Sequence, residues 1–300
     1  IGDLVCATPV FRAIKEKYPR SFLAVMVTGK VAGIIKNNPH IDQIIQFKTK
    51  GYSNILKNVG MLRFDVGISL TPQPVATAMM ILGLIPRRIK LVREGRPVME
   101  FFTDWLNTDT LPYRHHTYLP QRYLDLLEFI GIKNASPKKE VFVSEAGERK
   151  AAGVIANPLR RSFSEASNAN LSQQNNANIN DSSLRGLAKQ SRDYIKIIGI
   201  SITAGNKIKE WGDEKFIELT RRIIEKYKNA RIIFIGSKND EPRIASVIAR
   251  LKGSPSTPLG EYKSLVPELV EGLPYSSATD FTLEELPSLI KRLDLYVGVD

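Results

Sequence analysis

The chain has 300 residues, with 43 lysines and arginines against 31 aspartates and glutamates, and 43% of its side chains are hydrophobic. This composition is typical of a globular protein of one or two domains, and it excludes collagen-like, wholly disordered and disulfide-framework classes. The net charge of +12 favours anionic partners such as nucleotides, phosphorylated lipids or nucleic acid.

The first half of the chain alternates helical spacing with short apolar runs. Thr8 is expected to be the N-cap of a first helix, with Pro9 at its first position. The alternation indicates parallel strands joined by crossover helices. The strand candidates are residues 22–27, 44–47 and 65–70, and the helix candidates are 30–37, 54–63 and 119–130, the last ending at Gly131.

The second half repeats this pattern, which predicts two α/β halves with a cleft between them. Its strand candidates are residues 195–200, 231–236 and 294–299, and its helix candidates are 213–227, 241–251 and 283–292.

Two segments interrupt the alternation. Residues 156–192 are rich in Asn, Ser and Gln, and residues 253–279 are rich in Pro, Gly and Ser. Both are predicted to be surface insertions, either loops without a packed core or a lid or partner-binding element. The longest apolar stretch, residues 75–85, is too short to cross a bilayer as a helix, so we expect no transmembrane segment.

The first segment with chemical character is GDLVCATPVFRAIKEKYP, residues 2–19. If a strand precedes Gly2, Asp3 lies at the carboxyl edge of a parallel sheet, where open α/β folds bind ligands and where a carboxylate can accept a proton. The alternative is an aspartate that caps the helix start. Cys6, the single cysteine, is expected to be a small buried residue at the helix entrance.

The second segment, TAGNKIKEWGDEKF, follows the strand candidate 195–200. Gly205 and Asn206 permit a tight turn, and Lys207 and Lys209 place two ammonium groups beside it. Such a loop suits a diphosphate, although a solvated basic loop has the same pattern.

The third segment, IFIGSKNDE, places Asp240 and Glu241 after a strand that ends in glycine. A carboxylate there contacts the ribose in nucleotide-binding folds, but an acidic first helical turn is an equal alternative. A fourth, VGVD, ends at Asp300 after the last strand candidate. Trp211 is expected to be a packing anchor rather than a platform on which a base stacks.

Other polar segments carry weaker signals. His115 and His116 lack the spacing of metal ligands, and no other cluster has it, so we expect no metal site. The basic segment 86–97 is interpreted either as a solvated edge or as a patch facing an anion.

In this order, GDLVCATPVFRAIKEKYP, AGNKIKEW, IFIGSKND and LEELPSLIKRLDLYVGVD together resemble glycosyltransferase family 9, the ADP-heptose:lipopolysaccharide heptosyltransferases. The resemblance implies an α/β fold of the GT-B type, in which two Rossmann-like, doubly wound domains face a cleft. Residues 1–143 would form an acceptor-binding domain whose first strand is missing, and residues 144–194 a linker with an insertion. Residues 195–300 would form a truncated domain that binds the nucleotide sugar.

The resemblance also implies an activity: inverting transfer of heptose from ADP-heptose to the inner core of lipopolysaccharide, without a metal or another cofactor. The expected enzyme is cytoplasmic and touches the inner face of the cytoplasmic membrane, its acceptor is an anionic lipid-linked saccharide, and it binds no nucleic acid. A transferase for another nucleotide sugar and a non-catalytic remnant of the same fold are the alternatives. The implied site residues are Asp3 as general base, Gly205, Asn206 and Lys209 at the donor phosphates, Asp240 or Glu241 at the ribose, and Asp300 at the donor site.

Overall fold

A computed structural model describes residues 1–47, 62–95, 98–113, 117–155, 196–227, 229–251 and 274–299. The chain divides into two compact units, unit 1 (residues 1–142) and unit 2 (residues 143–300). Each unit consists of parallel strands and helices. Within the described ranges, no helix is both long enough and apolar enough to cross a bilayer.

Unit 1 contains two parallel sheets, one of two strands and one of three. The three-stranded sheet has the order β3-β4-β5, and β1 pairs with β2. The expected strands are found to within two residues, whereas the helix expected over 30–37 is a short 3-10 turn, and the one expected over 54–63 lies almost wholly outside the described residues. The elements are α1 (Gly2–Lys17), β1 (Ala24–Thr28), β2 (Gln43–Phe47), β3 (Val66–Ser69), α2 (Pro74–Leu82), β4 (Arg87–Arg93), α3 (Val98–Trp105), β5 (Asp109–Tyr113), α4 (Leu119–Asp125) and the 3-10 turns Ala32–Ile35 and Leu126–Ile130.

Helix α1 begins at Gly2, seven residues before the expected first position at Pro9, so the prediction that Thr8 is its N-cap is wrong. Pro9 lies inside the helix and has no N–H to donate to the carbonyl of Val5, four residues before it. The buried hydroxyl of Thr8 donates to that carbonyl instead, at 2.8 Å, and accepts from the Glu140 N–H at 3.0 Å. Thr8 thus supplies the hydrogen bond to the Val5 carbonyl that Pro9 cannot make, and it does not begin the helix.

Residues 87–93 of the basic segment 86–97 form β4, the middle strand of its sheet, so for residues 89–92 both interpretations from the sequence are wrong. Lys90 is fully buried, and its ammonium group donates to the Asp104 carboxylate on α3 at 2.6 Å. Arg87, at the exposed start of the strand, pairs with Asp109 at 3.3 Å. A buried lysine needs such a partner, because an unpaired charge is expensive to remove from water.

Strand β1 is only half covered by the core of unit 1. Met26 is half-buried in a cluster with Met79 and Met80 of α2 and with Ile45 of β2. Helix α1 packs against α4, and the 3-10 turn that follows α4 is capped by Gly131, whose φ of 79° is the expected left-handed conformation.

Unit 2 contains one four-stranded parallel sheet with the order β8-β7-β6-β9. All the expected strands and long helices of this half are present, and their bounds differ from the expectation by no more than three residues. The elements are α5 (145–155), β6 (Lys196–Ile200), α6 (Asp213–Lys226), β7 (Ala230–Ile235), α7 (Glu241–Leu251), β8 (Tyr275–Ala278), α8 (Leu286–Ile290), β9 (Leu295–Val297) and the 3-10 turns Lys207–Lys209 and Lys238–Asp240.

Every residue of β7 is buried, because helices cover both faces of the sheet. Ile232 and Phe234 face a core shared with α6 and α7. The alternating residues Ile233 and Ile235 face a second core shared with α5 and α8.

Strand β8 corrects the prediction that residues 253–279 are a surface insertion. Residues 275–278 pair with β7, and Tyr275 and Ala278 are buried. The rest of that segment, residues 253–273, and the segment 156–192 lie outside the described residues. The sequence does not predict this strand, because its Ser-rich segment YSSA contains no apolar run.

Candidate functional site

Three of the segments predicted to bind a ligand follow adjacent strands of unit 2. β6 lies between β7 and β9, and all three run parallel. Their carboxyl ends therefore share one edge of the sheet, which is where open α/β sheets bind ligands. Asp300 itself lies outside the described residues.

The loop that follows β6, residues 201–212, presents its lysines to solvent. The Asn206 side-chain oxygen accepts the Ile208 N–H at 3.1 Å and so caps the 3-10 turn. The Lys209 ammonium group is exposed and has no hydrogen-bonded partner within the described ranges. Gly205 has open space around it and no positive φ, whereas Gly212 has φ 93°. The residue that needs glycine's conformational freedom is thus Gly212, which the sequence analysis did not single out.

Arg243 of α7 holds this loop and the start of α6 against α7, and no motif in the sequence indicates it. Its guanidinium donates to Glu210 at 2.6 Å and to Asp213 at 2.8 Å. Glu210 also accepts the Ala204 N–H at 3.3 Å, so it joins both ends of the loop. The hydrogen bonds from Arg243 and Ala204 lower the pKa of the Glu210 carboxyl. The hydrogen bonds to Asp213 and Glu210 in turn raise the pKa of Arg243. We call Arg243, Glu210 and Asp213 the loop clamp.

The turn after β7 separates the two carboxylates proposed for the ribose. Asp240 accepts from the Ser237 N–H at 2.7 Å and from the Ser237 hydroxyl at 2.6 Å, which completes a capping box. Glu241, the first residue of α7, is half-buried and has no hydrogen-bonded partner among the residues that the structure describes. Asp240 therefore has the capping role, and the carboxylate of Glu241 remains available to bind a ligand.

Trp211, next to the loop clamp, combines packing with exposure. Its ring meets Phe216 edge to face, with centroids 5.4 Å apart, but 47% of the residue remains exposed. Lys215 lies 5.9 Å from the ring centroid. The tryptophan thus anchors the start of α6 while one face stays open.

Asp3 lies in the first turn of α1 in unit 1. It is exposed, and its carboxylate accepts no hydrogen bond from the described residues. Burial, reinforced by the nearby charges of Asp3, Cys6 and Tyr113, raises the pKa of the Tyr123 hydroxyl to about 12. These four side chains form the Asp3 neighbourhood. The tyrosines were missed because they come from β5 and α4, far from Asp3 in sequence, although Tyr113 ends a parallel strand.

The histidines named in the sequence analysis, His115 and His116, lie outside the described residues. Cys6 is a free thiol that is half-buried in the second turn of α1. Within the described part of the chain, no three His, Cys, Asp or Glu residues are grouped as a metal would require. Independence from metal remains a prediction.

Solved structures share the fold over the whole length of the chain. A family 9 glycosyltransferase from Veillonella parvula DSM 2008 matches with a TM-score of 0.67 and 16% identity, over 99% of this chain and 71% of that one. The E. coli ADP-heptose lipopolysaccharide heptosyltransferase II matches with a TM-score of 0.65 and 15% identity, over 100% of this chain and 76% of that one. The E. coli heptosyltransferase WaaC, solved with ADP, gives a TM-score of 0.61 at 12% identity, covering 100% and 78%.

In sequence, the chain is 26% identical over 140 residues to lipopolysaccharide heptosyltransferase 3 of E. coli K12. The chain is therefore similar to heptosyltransferases in fold and, over these 140 residues, in sequence. The resemblance to family 9 and the predicted GT-B class with Rossmann-like domains are thereby confirmed. The sequence match spans 44% of this chain and 40% of its relative's length. No family profile matches the chain.

Proposed function

We propose that the chain is an inverting glycosyltransferase that moves heptose from ADP-heptose to the inner core of lipopolysaccharide. The observation that carries the proposal is the edge of the unit 2 sheet, where the exposed Lys209 and the available carboxylate of Glu241 follow adjacent strands. An ammonium group and a carboxylate in that order suit a diphosphate and the ribose attached to it. The names of the similar proteins supply the sugar and the acceptor.

The proposed chemistry needs one base and one cation. Asp3 accepts the proton of the attacking acceptor hydroxyl, and an exposed carboxylate with no hydrogen-bonded partner is suited to that task. The departing ADP gains negative charge, which Lys209 and the N–H groups of the loop stabilise. A direct displacement inverts the anomeric centre and requires no covalent intermediate on the enzyme. The donor-site role of Asp300 remains part of this proposal.

The proposed location is the cytoplasm, with reversible contact at the inner face of the cytoplasmic membrane, because the acceptor is a lipid-linked anionic saccharide. The net charge of +12 supports such contact. Strand β4 gives less support for membrane contact than its basic residues predict, since Lys90 is buried and Arg87 is paired within the protein.

The proposal is tested by incubating the protein with ADP-heptose and a lipopolysaccharide core that lacks heptose, and by measuring ADP release and the mass of the product. We expect turnover that survives EDTA. Lys209→Ala should lower turnover by about 10²-fold, the scale of losing one preorganised stabilising group. Lys226→Ala, in the last turn of α6, is the matched control and should leave turnover unchanged.

Three results would contradict parts of the proposal. Transfer from another nucleotide sugar alone would replace the donor. Binding of ADP-heptose without transfer would indicate a non-catalytic protein of the same fold. Activity that EDTA abolishes and Mg²⁺ restores would replace the lysine mechanism with a metal-dependent one.

A further inference from the structure

The loop clamp lies beside the proposed phosphate site without belonging to it. Arg243 is the third residue of α7, two residues after Glu241, and its guanidinium donates to Glu210 near the end of the β6 loop and to Asp213 at the start of α6. One side chain therefore joins the two segments to which the proposed function assigns the donor phosphates and the ribose.

We propose that Arg243 is a positioning residue, which holds the β6 loop against α7 so that Lys209 meets the donor diphosphate. The inference rests on the proposed function, and it adds a residue that contacts no substrate.

Geometry sets the clamp apart from an ordinary surface ion pair. The guanidinium bridges two carboxylates at 2.6 and 2.7 Å, and all three side chains are largely covered, with at most 32% exposed. Glu210 also restrains the opposite end of the loop, because its other carboxylate oxygen accepts the Ala204 N–H. Arginine suits this arrangement, since its rigid planar guanidinium donates to the two carboxylates from separate nitrogens in fixed directions, whereas lysine has a single nitrogen on a flexible stem.

Between the clamped ends the loop forms one 3-10 turn, in which the N–H groups of Lys209 and Glu210 donate to the carbonyls of Asn206 and Lys207 at 3.0 and 3.1 Å. Among the described residues, its one side-chain hydrogen bond is the Asn206 cap on Ile208, and Ile208 is itself 90% exposed. The position of Lys209 therefore depends on how Glu210, the next residue, is held. A displacement of about 1 Å in a positioned group is enough to cost on the order of 10²-fold in rate.

Arg250 provides a matched control on the same helix. It also pairs α7 with α6, through Glu214, and its side chain is 32% exposed against 29% for Arg243. It lies at the far end of α7, and Glu214 is outside the loop. Loss of Arg250 thus removes an ion pair between the same two helices and leaves the loop clamp in place.

The experiment titrates the full chain with ADP and with adenosine, by calorimetry, for wild type, Arg243→Met, Arg243→Lys and Arg250→Met. We expect Arg243→Met to weaken ADP binding by about tenfold or more, and adenosine binding, which uses no phosphate contact, by less than twofold. Arg243→Lys should fall between wild type and Arg243→Met. Arg250→Met should bind ADP as wild type does, even where its melting temperature falls as far.

A second measurement follows the loop without any ligand. In a Trp105→Phe background Trp211 is the remaining tryptophan of the chain, and quenching of its fluorescence by acrylamide should rise in Arg243→Met but not in Arg250→Met. If wild type binds ADP and Arg243→Met binds it equally well, the positioning role is overturned while the proposed function stands. If wild type binds no ADP, the proposed function fails and this inference fails with it.

Discussion

The sheets of the two units bury their strands to different degrees. In unit 2, β7 has neighbours on both sides and all six of its residues are buried. In unit 1, β1 pairs with one strand among those described, and four of its five apolar or small residues are half-exposed. Strand β4 of unit 1 has two neighbours and is buried at its centre, although it carries four basic residues. In these three strands, burial follows the number of neighbouring strands more closely than the polarity of the strand.

The polar groups of the two units differ in the same way. Unit 2 holds its candidate loop through the loop clamp at the edge of the sheet. Unit 1 contains an ion pair in its interior, between Lys90 and Asp104. Its Asp3 has no hydrogen-bonded partner in the described residues. Substitutions in unit 1 should thus separate chemistry from stability more cleanly than those in unit 2.

The largest effect is expected at Asp3. Asp3→Asn keeps the size of the side chain and removes the proton acceptor, so the single-turnover rate should fall by about 10²–10⁴-fold while donor affinity stays unchanged. The N-cap of α1 is Ile1, and the Asp3 carboxylate accepts no hydrogen bond from the described residues, so Asp3 does not cap the helix and the melting temperature should change little. Asp65→Asn, at an exposed position before β3, is the control. A near-normal rate for Asp3→Asn would remove Asp3 from the catalytic role.

The buried pair of unit 1 should dominate its stability. Lys90→Met leaves the Asp104 carboxylate buried without its ammonium partner, and we expect the free energy of unfolding to fall by about 3–5 kcal/mol in urea titrations. Lys90→Met combined with Asp104→Leu should recover most of the loss, because no charge then remains inside. If the double variant is as unstable as the single one, β4 needs the pair for more than charge balance.

Equivalent truncations in the two sheets test the comparison of strand burial. Phe234→Ala in β7 removes a fully buried ring, with an expected cost of about 3–5 kcal/mol. Met26→Ala in β1 should cost about 1 kcal/mol, since part of that side chain already meets water. Urea unfolding of both variants gives the ratio. Equal costs would mean that β1 is covered in solution.

The smallest effect concerns acid. Hydrogen bonds from Arg292, Arg243 and Arg250 lower the pKa of Glu148, Glu210 and Glu214 respectively, all in unit 2. Groups with a lowered pKa stabilise the fold above their ordinary pKa of about 4, and the contribution is lost as the pH falls through the folded value. The melting temperature should drop below about pH 4, and less steeply in Glu210→Gln. An unchanged slope in that variant would show that the loop clamp adds nothing to folding.

Much of unit 2 could be predicted from its sequence because local and tertiary preferences agree. The run IKIIGI and the periodic helix that starts at Asp213 form the expected elements almost residue for residue. Strand β4 could not be predicted, since the partner of Lys90 lies 14 residues away on another element. The same holds at the site, where the exposed lysines belong to a local motif, but Arg243 reaches Glu210 across 33 positions. Spacing rules detect neighbours along one helix or strand, and these contacts join different ones.

Cys6 gives the Asp3 neighbourhood a natural attachment point for a probe. It is the only cysteine in the chain, its thiol is free, and it lies three residues after Asp3 on the same face of α1. A nitroxide or a small fluorophore attached through a thiol-reactive linker would therefore modify each molecule at one place, without any background substitution. Occupancy of the proposed acceptor side can thus be followed by spectroscopy in the wild-type sequence, independently of the two tryptophans.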